Sequence, residues 1–414
     1  MNIARLGRRL NSRLHASLDV RPNAASHPHA YLYSSHAKTT PTRWYDTTLD
    51  SGLLPDATVR AGIRSKLQAH YNTTLPKNPT DIHAHNRHMI DHLRTHDIAI
   101  GTPTEHAHNA KLPASFYEMM LGSSMLDTTG LWSAGASSLE AAAHSMHTLI
   151  ASRAQISDGM HILVLGAGWG SFPVWLAKQY PDTTITAITD GARKHQHITE
   201  RCDELDIYNT APIVGQTGSF AIEGRFDRVL LLSGIEHLQN LELPLERMSK
   251  LLTTNGLLFI QAQTHRAVSS LETPGQTWLS RNFTVGGFTP SADTLVHFQR
   301  CAELRDDWQI TGNHLAQTAN AWLANLDANE PSIMYIFRRI YGTDHAATWF
   351  NRWRVYCMAV AERACMNNYN DWLTSHYLFQ PRPARALTTP IVEVKLPEPK
   401  HERTPKLFAK ALAM

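Results

Sequence analysis

Residues 161–171, His-Ile-Leu-Val-Leu-Gly-Ala-Gly-Trp-Gly-Ser, constrain the fold of this chain more than any other stretch. Apolar, β-forming residues run directly into Gly166, Gly168 and Gly170, and a helical pattern of Phe172, Val174, Trp175, Leu176 and Ala177 follows. A buried strand, a glycine turn and a helix N-terminus make a ligand cradle. The glycines let backbone N–H groups come close, and the helix end favours negative charge. A second β-branched run, Thr184–Thr189, ends at Asp190, and apolar runs recur at Ala211–Gly215, Arg228–Leu232 and Gly256–Gln261. Helical patterns separate most of them. That alternation predicts an α/β fold with a parallel, doubly wound sheet that takes ligands at the carboxyl ends of its strands.

The glycine spacing narrows the ligand. Nicotinamide cofactors prefer G-x-G-x-x-G. Here the third glycine comes one residue early, and Ser171 occupies the position where that pattern wants glycine. G-x-G-x-G after a first strand suits S-adenosylmethionine, whose amino-acid end the turn then holds. Asp190, twenty residues past Gly170, is placed to accept from ribose hydroxyls. The competing reading is an N-cap for a helix over 191–205.

Composition excludes several classes. A net charge of +3 over 414 residues, without a basic stripe carrying aromatics, argues against nucleic acid. No apolar run is long enough for a membrane-spanning helix. Cys202, Cys301, Cys357 and Cys365 lack the spacing of a zinc site or a disulfide framework, which fits a reducing compartment. Half of the 24 histidines precede residue 110, and His88, His92 and His96 repeat every four residues. Without converging partners of other types they read as a polar helix face, and no metal site is expected.

The chain divides into four parts. Residues 1–43 hold six Arg, one Lys and one acid, with Ile3, Leu6, Leu10 and Leu14 at helical spacing. This is a basic leader, either an organelle transit peptide or a disordered arm, so the location is cytoplasmic or mitochondrial. Residues 44–152 read as a helical N-terminal cap. Residues 153–380 read as the Rossmann-like domain, with a helical insertion around 264–305. The proline-rich tail 381–414 is expected to be disordered.

Ser233-Gly-Ile-Glu236-His237 ends the fourth strand, the strand end nearest the cofactor. Together with Asp50–Asp56, Val164–Ser171, Glu200–Cys202, Gly286-Gly287, Pro290-Ser291, Gly312-x-His314-x-x-x-Thr318, Trp353-Arg354 and His376–Phe379, it resembles the cyclopropane-fatty-acid-synthase-like methyltransferases over roughly residues 44–380. The resemblance is nearest to the coclaurine N-methyltransferase branch. It implies a seven-stranded Rossmann-like class I methyltransferase sheet with helical caps. It implies S-adenosylmethionine as cofactor, held by Gly166, Gly168, Trp169, Gly170, Asp190 and Gln216. It also implies methyl transfer to a small amine, or methylene transfer to a lipid double bond. The partner is then a small-molecule methyl acceptor, with the protein a monomer or homodimer.

The chain departs from the family pattern at several positions. Val164 replaces an Asp of the first strand, Gln216 an Asp after the third strand, Arg193 a Gln, and Ser233 a Glu three residues before the Glu-His pair. Around His108–Lys111 a Gln-His-Tyr-Glu stretch is unmatched. Ala167 and Leu315 stand where the lipid-cyclopropanating branch holds bicarbonate with Cys and Tyr, so cyclopropanation is not expected. An amine must be neutral to attack a methyl group, and His237 is the candidate base. Glu236 is expected to point to the opposite side if the strand continues, and Ser233 can only share a hydrogen bond. The competing reading of Glu236-His237 is a helix-start carboxylate and a satisfied polar histidine. Trp278, Phe283, Phe288, Trp322 and Trp349 are candidates for substrate stacking or for core. Three functions follow: a small-molecule N-methyltransferase, a lipid-modifying relative, or a cofactor-binding protein that has lost catalysis.

Overall fold

The computed structural model describes residues 44–95 except 77, and 111–382 except 134, 219, 221, 273–276 and 284–286. The leader 1–43, His96, His108, Gly286 and the tail from 383 lie outside the described residues.

Five strands, β1 (His161–Leu165), β2 (Thr184–Thr189), β3 (Thr210–Val214), β4 (Phe226–Leu231) and β5 (Leu252–His265), run parallel within a seven-stranded sheet of order β3-β2-β1-β4-β5-β9-β8. The central strand explains why this stretch was so apolar. Ile162 and Val164 face one layer, with Met146, Ile150, Phe172 and Leu176. Leu163 and Leu165 face the other, with Leu93, Leu245 and Met248. A strand covered on both sides is a continuous hydrophobic run. The helices that cover it include α3 (Pro79–Thr95), α5 (Leu139–Arg153), α6 (Ser171–Gln179), α7 (Ala192–Glu204) and α8 (Glu242–Lys250).

The sheet differs from the parallel one expected in its last two strands. β8 (Ala302–Thr311) and β9 (Trp372–Pro381) pair antiparallel, and β9 is antiparallel to β5 as well. Only β9 is therefore reversed. The reason is the connection: β8 and β5 both end beside the start of β9, at Thr311↔Leu373 and His265↔Trp372. Between them the chain makes α10 (Gly312–Ala328), α11 (Glu330–Tyr341) and α12 (Thr343–Ala364). These helices leave the sheet at the edge where β1 to β4 also end, and form a cap there with α1 (Trp44–Asp50), α2 (Asp56–Thr74) and α4 (Ala114–Leu121). The segment 264–305, expected as a helical insertion, holds instead a two-stranded ribbon, β6 (Ser270–Glu272) with β7 (Gly287–Thr289), the short helix α9 (Trp278–Asn282) and a 3-10 turn at Thr294–His297. The long capping helices come later, at 312–364.

Several residues that carried the family resemblance turn out to fasten this cap. Asp50 takes two hydrogen bonds from Arg352, at 2.8 and 2.6 Å, and Asp56 takes two from Arg354, at 3.0 and 2.8 Å. Such forked pairs fix geometry as well as charge. Thr318 Oγ1 accepts from Gly130 N at 3.0 Å and Trp132 Nε1 at 2.9 Å, and donates to His314 O. His314 Nδ1 accepts from Trp132 N at 3.0 Å. Gly312 is glycine because a Cβ there would strike the carbonyl of Ala364.

Candidate functional site

Four loops meet at the carboxyl ends of β1 to β4. The glycine turn leaves β1 with positive φ at Gly166 (+68°), Gly168 (+54°) and Gly170 (+88°), values that side chains rarely tolerate. It is clipped to β2 by Ala167 N donating to Ile188 O at 2.8 Å and by Thr189 Oγ1 donating to Gly168 O at 2.8 Å. A Cβ on Gly166 would strike the backbone of Ser233, so this glycine lets β1 and the end of β4 touch. Gly234, at φ +100°, lies against the side chain of Thr217, the neighbour of Gln216. The cradle thus touches the β4 turn through Gly166, and the β4 turn touches the β3 loop through Gly234, both approaches closer than a Cβ would allow.

Asp190 follows β2 directly. The N-cap reading is not realised: the helix begins at Ala192 and its N-cap is Gly191, with no side-chain cap. Its carboxylate, exposed, instead accepts from Lys194 Nζ at 2.9 Å. Burial of the site works against its charge. Lys194 outweighs this through its charge and hydrogen bond, His237 adds to the pull, and the carboxyl is held below its usual range. Gln216 lies half-buried just past the end of β3. Trp169 contributes its backbone to the turn, but its ring packs into the cap, 4.6 Å from Tyr117 between ring centres. Arg193 donates to Leu112 O at 3.0 Å and so ties α7 to the loop before α4. A groove of about 810 Å³ is lined by His144, His147, Gly170, Ser171 and His197 among others, and neither Asp190 nor His237 lines it.

The β4 strand ends at Leu231, two residues before Ser233. A 3-10 turn over Ile235–His237 folds Glu236 back, so it does not point away as expected. Its Oε2 accepts from Gly234 N at 3.0 Å, Ser233 Oγ donates to its Oε1 at 3.4 Å, and His237 Nε2 lies 3.7 Å from that same oxygen. Both Glu236 and His237 side chains are partly open to solvent, at 44% and 42%. The turn therefore presents an imidazole backed by a carboxylate. Ser233, Glu236 and His237 stand together, and His237 is within electrostatic reach of Asp190 across the strand ends.

Two residues here had no sequence signal. Asp127, between α4 and α5, lies against the glycine turn: its Oδ2 is 2.9 Å from where a Cβ on Gly168 would stand. Its carboxylate is reached by solvent yet recessed. Burial pushes it above the usual range, Lys194 pulls it down, and Asp190 and Glu236 push it up again. Tyr356 on α12 faces the same charge; burial above all, then Cys357 and Asp127, push its hydroxyl up to about 12, against Arg363. Tyr356 stacks in a cluster with Phe283 (4.8 Å) and Trp353 (5.5 Å), and Trp278 packs on Phe283 at 5.6 Å. Of the other aromatic candidates, Phe288 is buried in the sheet core, and Trp322 and Trp349 are buried in the cap core.

Glycine-only backbone, a helix N-terminus and an acid after β2 fit S-adenosylmethionine, which needs close backbone approach at its amino-acid end and acceptors at its ribose. Ala167 and Leu315, the two positions where the family resemblance would lead one to look for bicarbonate ligands, carry apolar side chains that are 6% and 8% exposed. Among the described residues no helix is long and apolar enough to cross a membrane, and no group of three or more metal-ligating side chains is gathered.

Comparison with known proteins agrees with this geometry. The chain is 27% identical over 337 residues to (S)-coclaurine N-methyltransferase of Papaver somniferum, covering 80% of this chain and 96% of the relative. It is 23% identical over 277 residues to cyclopropane-fatty-acyl-phospholipid synthase of Escherichia coli (strain K12), covering 66% and 67%. A crystal structure of coclaurine N-methyltransferase bound to N-methylheliamine and S-adenosylhomocysteine superposes with a TM-score of 0.77 at 26% identity, covering 81% of this chain and 98% of that one. The cyclopropane synthase MmaA2 of Mycobacterium tuberculosis shares the fold, with a TM-score of 0.52 at 16% identity over 65% of this chain and 95% of that one. The profile of the mycolic acid cyclopropane synthetase family matches residues 104–371, and the chain belongs to that family of S-adenosylmethionine-dependent transferases.

Proposed function

We propose that this protein transfers a methyl group to the nitrogen of a small-molecule amine, with His237 taking the proton. The observation that carries the reading is the Ser233–His237 turn, which presents an imidazole beside a carboxylate on the strand edge that holds the glycine cradle. S-adenosylmethionine supplies an activated methyl on a cationic sulfur. The chain's own residues do the rest. Holding the acceptor in line is worth on the order of 7–11 kcal/mol in well-oriented systems. The acceptor nitrogen must be neutral, and the partly exposed imidazole of His237 is the group placed to receive its proton. Glu236 Oε1 lies 3.7 Å from the ring nitrogen and flanks it on the same turn. Trp278, Phe283 and Tyr356, all partly buried, offer an aromatic surface for the body of the acceptor, with Tyr356 within electrostatic reach of Asp127.

Two features favour an amine over a lipid. The relatives that cover most of this chain are named N-methyltransferases. Ala167 and Leu315 are both buried and offer no polar group to bicarbonate. The test is incubation of the full chain with methyl-labelled S-adenosylmethionine, against a panel of small primary to tertiary amines and against vesicles of unsaturated phospholipid. Label on nitrogen is expected. Label in acyl chains overturns the reading in favour of the lipid enzyme. Cofactor binding with no labelled product across the panel supports an inactive relative, which Val164, Gln216 and Ser233 would explain.

A further inference from the structure

The amino-acid end of S-adenosylmethionine carries two charges, and each needs an answer. Its carboxylate suits the backbone N–H groups of the glycine turn and the start of α6. Its α-ammonium has three donors and needs acceptors, best a carboxylate. The first strand offers none. Val164, where the family pattern has an acid, is completely buried among apolar side chains.

The acids on this strand edge are not equivalent. Asp190 is paired with Lys194 at 2.9 Å. Glu236 is turned onto Gly234 N at 3.0 Å and faces His237. Asp127 differs: its Oδ2 rests 2.9 Å, and its Oδ1 3.3 Å, from the Cβ position of Gly168, so the carboxylate lies directly on the turn. Among the described residues, no donor of another residue is hydrogen-bonded to it; Lys194, Asp190 and Glu236 act on it only through their fields. Gly168 has φ +54°, and any side chain there would occupy the space the carboxylate uses.

We infer that Asp127 is the carboxylate that receives the α-ammonium of the bound cofactor, replacing from the cap an acid that the first strand of this chain does not carry. The inference rests on the cofactor reading above. It also explains why a recessed carboxylate with like charges on two sides sits here. A bound ammonium compensates the repulsion from Asp190 and Glu236. Because Asp127 belongs to the loop between α4 and α5, it couples cofactor binding to the position of the N-terminal cap.

The test compares two ligands by calorimetry on the full chain. S-adenosylhomocysteine keeps the α-ammonium, whereas methylthioadenosine lacks the whole amino-acid end. Asp127→Asn, nearly isosteric, should weaken S-adenosylhomocysteine roughly ten- to a hundred-fold, the value of a hydrogen bond to a charged group. It should leave methylthioadenosine binding unchanged, which also reports that the variant is folded. Asp127→Glu, which keeps the charge, should lose less than Asp127→Asn. Equal losses for both ligands, or unchanged S-adenosylhomocysteine affinity, overturn the inference. Unchanged affinity with a lost turnover would move Asp127 to the methyl acceptor instead. A wild-type protein that binds neither ligand overturns the cofactor reading itself.

Discussion

His237 owes its place to one glycine. Gly234 takes φ +100°, the chain leaves β4, and the 3-10 turn brings Glu236 and His237 to the same side. The residues themselves were legible as a polar pair at a strand end. Their mutual orientation was not, because alternation holds only while the strand lasts. General-base help is typically worth ~10²–10⁴-fold. His237→Ala should therefore lower turnover by about that factor with the identified amine, while calorimetry shows cofactor affinity little changed. Full turnover in that variant at neutral pH would place the base elsewhere; lost cofactor affinity would make the histidine structural. Asp127 and Tyr356 are the opposite case. Nothing around Met125-Leu126-Asp127 in the sequence points at Gly168, since the contact spans about forty residues and exists only once the cap closes on the turn.

At the scale of elements, the strands β1 to β5 followed from apolar runs, and the helix predicted over 191–205 appears as Ala192–Glu204. β8 was not legible as a strand. It is an edge strand, largely exposed, and its Glu303–Asp307 stretch reads as polar surface. β9 is buried along most of its length but follows directly on the capping helices, without a glycine turn to announce it. The clamp between α10 and the 130–132 loop is a single-atom device. Thr318 Oγ1 holds both Gly130 N and Trp132 Nε1, and the residue is fully buried. Thr318→Val keeps the shape and leaves two donors without their acceptor, at ~1–3 kcal/mol for each buried group. The expected loss is about 2–4 kcal/mol by urea unfolding, with Thr318→Ser retaining most of it. A loss below about 0.5 kcal/mol, the range of an ordinary surface substitution, would show that the clamp is not needed.

For the whole molecule, two deeply buried histidines contribute most plainly to the response to acid. His147, beneath the start of α6, and His376, in the middle of β9, are fully buried. Burial holds both down to about 3; His144 adds to the effect on His147 and Arg153 to that on His376. His376 Nε2 meets Gln261 Oε1 at 3.1 Å, and its Nδ1 meets Arg153 at 2.9 Å. The folded pKa is lowered, so the unfolded chain binds more protons below about 6.5. Stability is complete above that pH and is lost as pH falls towards 3, at up to ~1.4 kcal/mol per pH unit for each group. Unfolding free energies from urea titrations between pH 6 and pH 4 should fall as these rings, together with His197, His265 and His314, which burial also holds down, take up protons on unfolding, and His376→Gln should make the fall shallower. A flat profile in the wild type would show that these rings are not held neutral.

What the sequence determined by itself was the strand–turn–helix cradle, the parallel half of the sheet and the polar pair at the end of β4. Each is local: a run of apolar residues, a glycine spacing, a strand terminus. The tertiary structure decided the reversed strand β9, the cap made by α10–α12 with α1, α2 and α4, and the seating of Asp127 on Gly168. These depend on contacts between segments far apart in the chain. Their geometry follows from which sheet edge β5 and β8 reach together, and no stretch of residues carries that information alone.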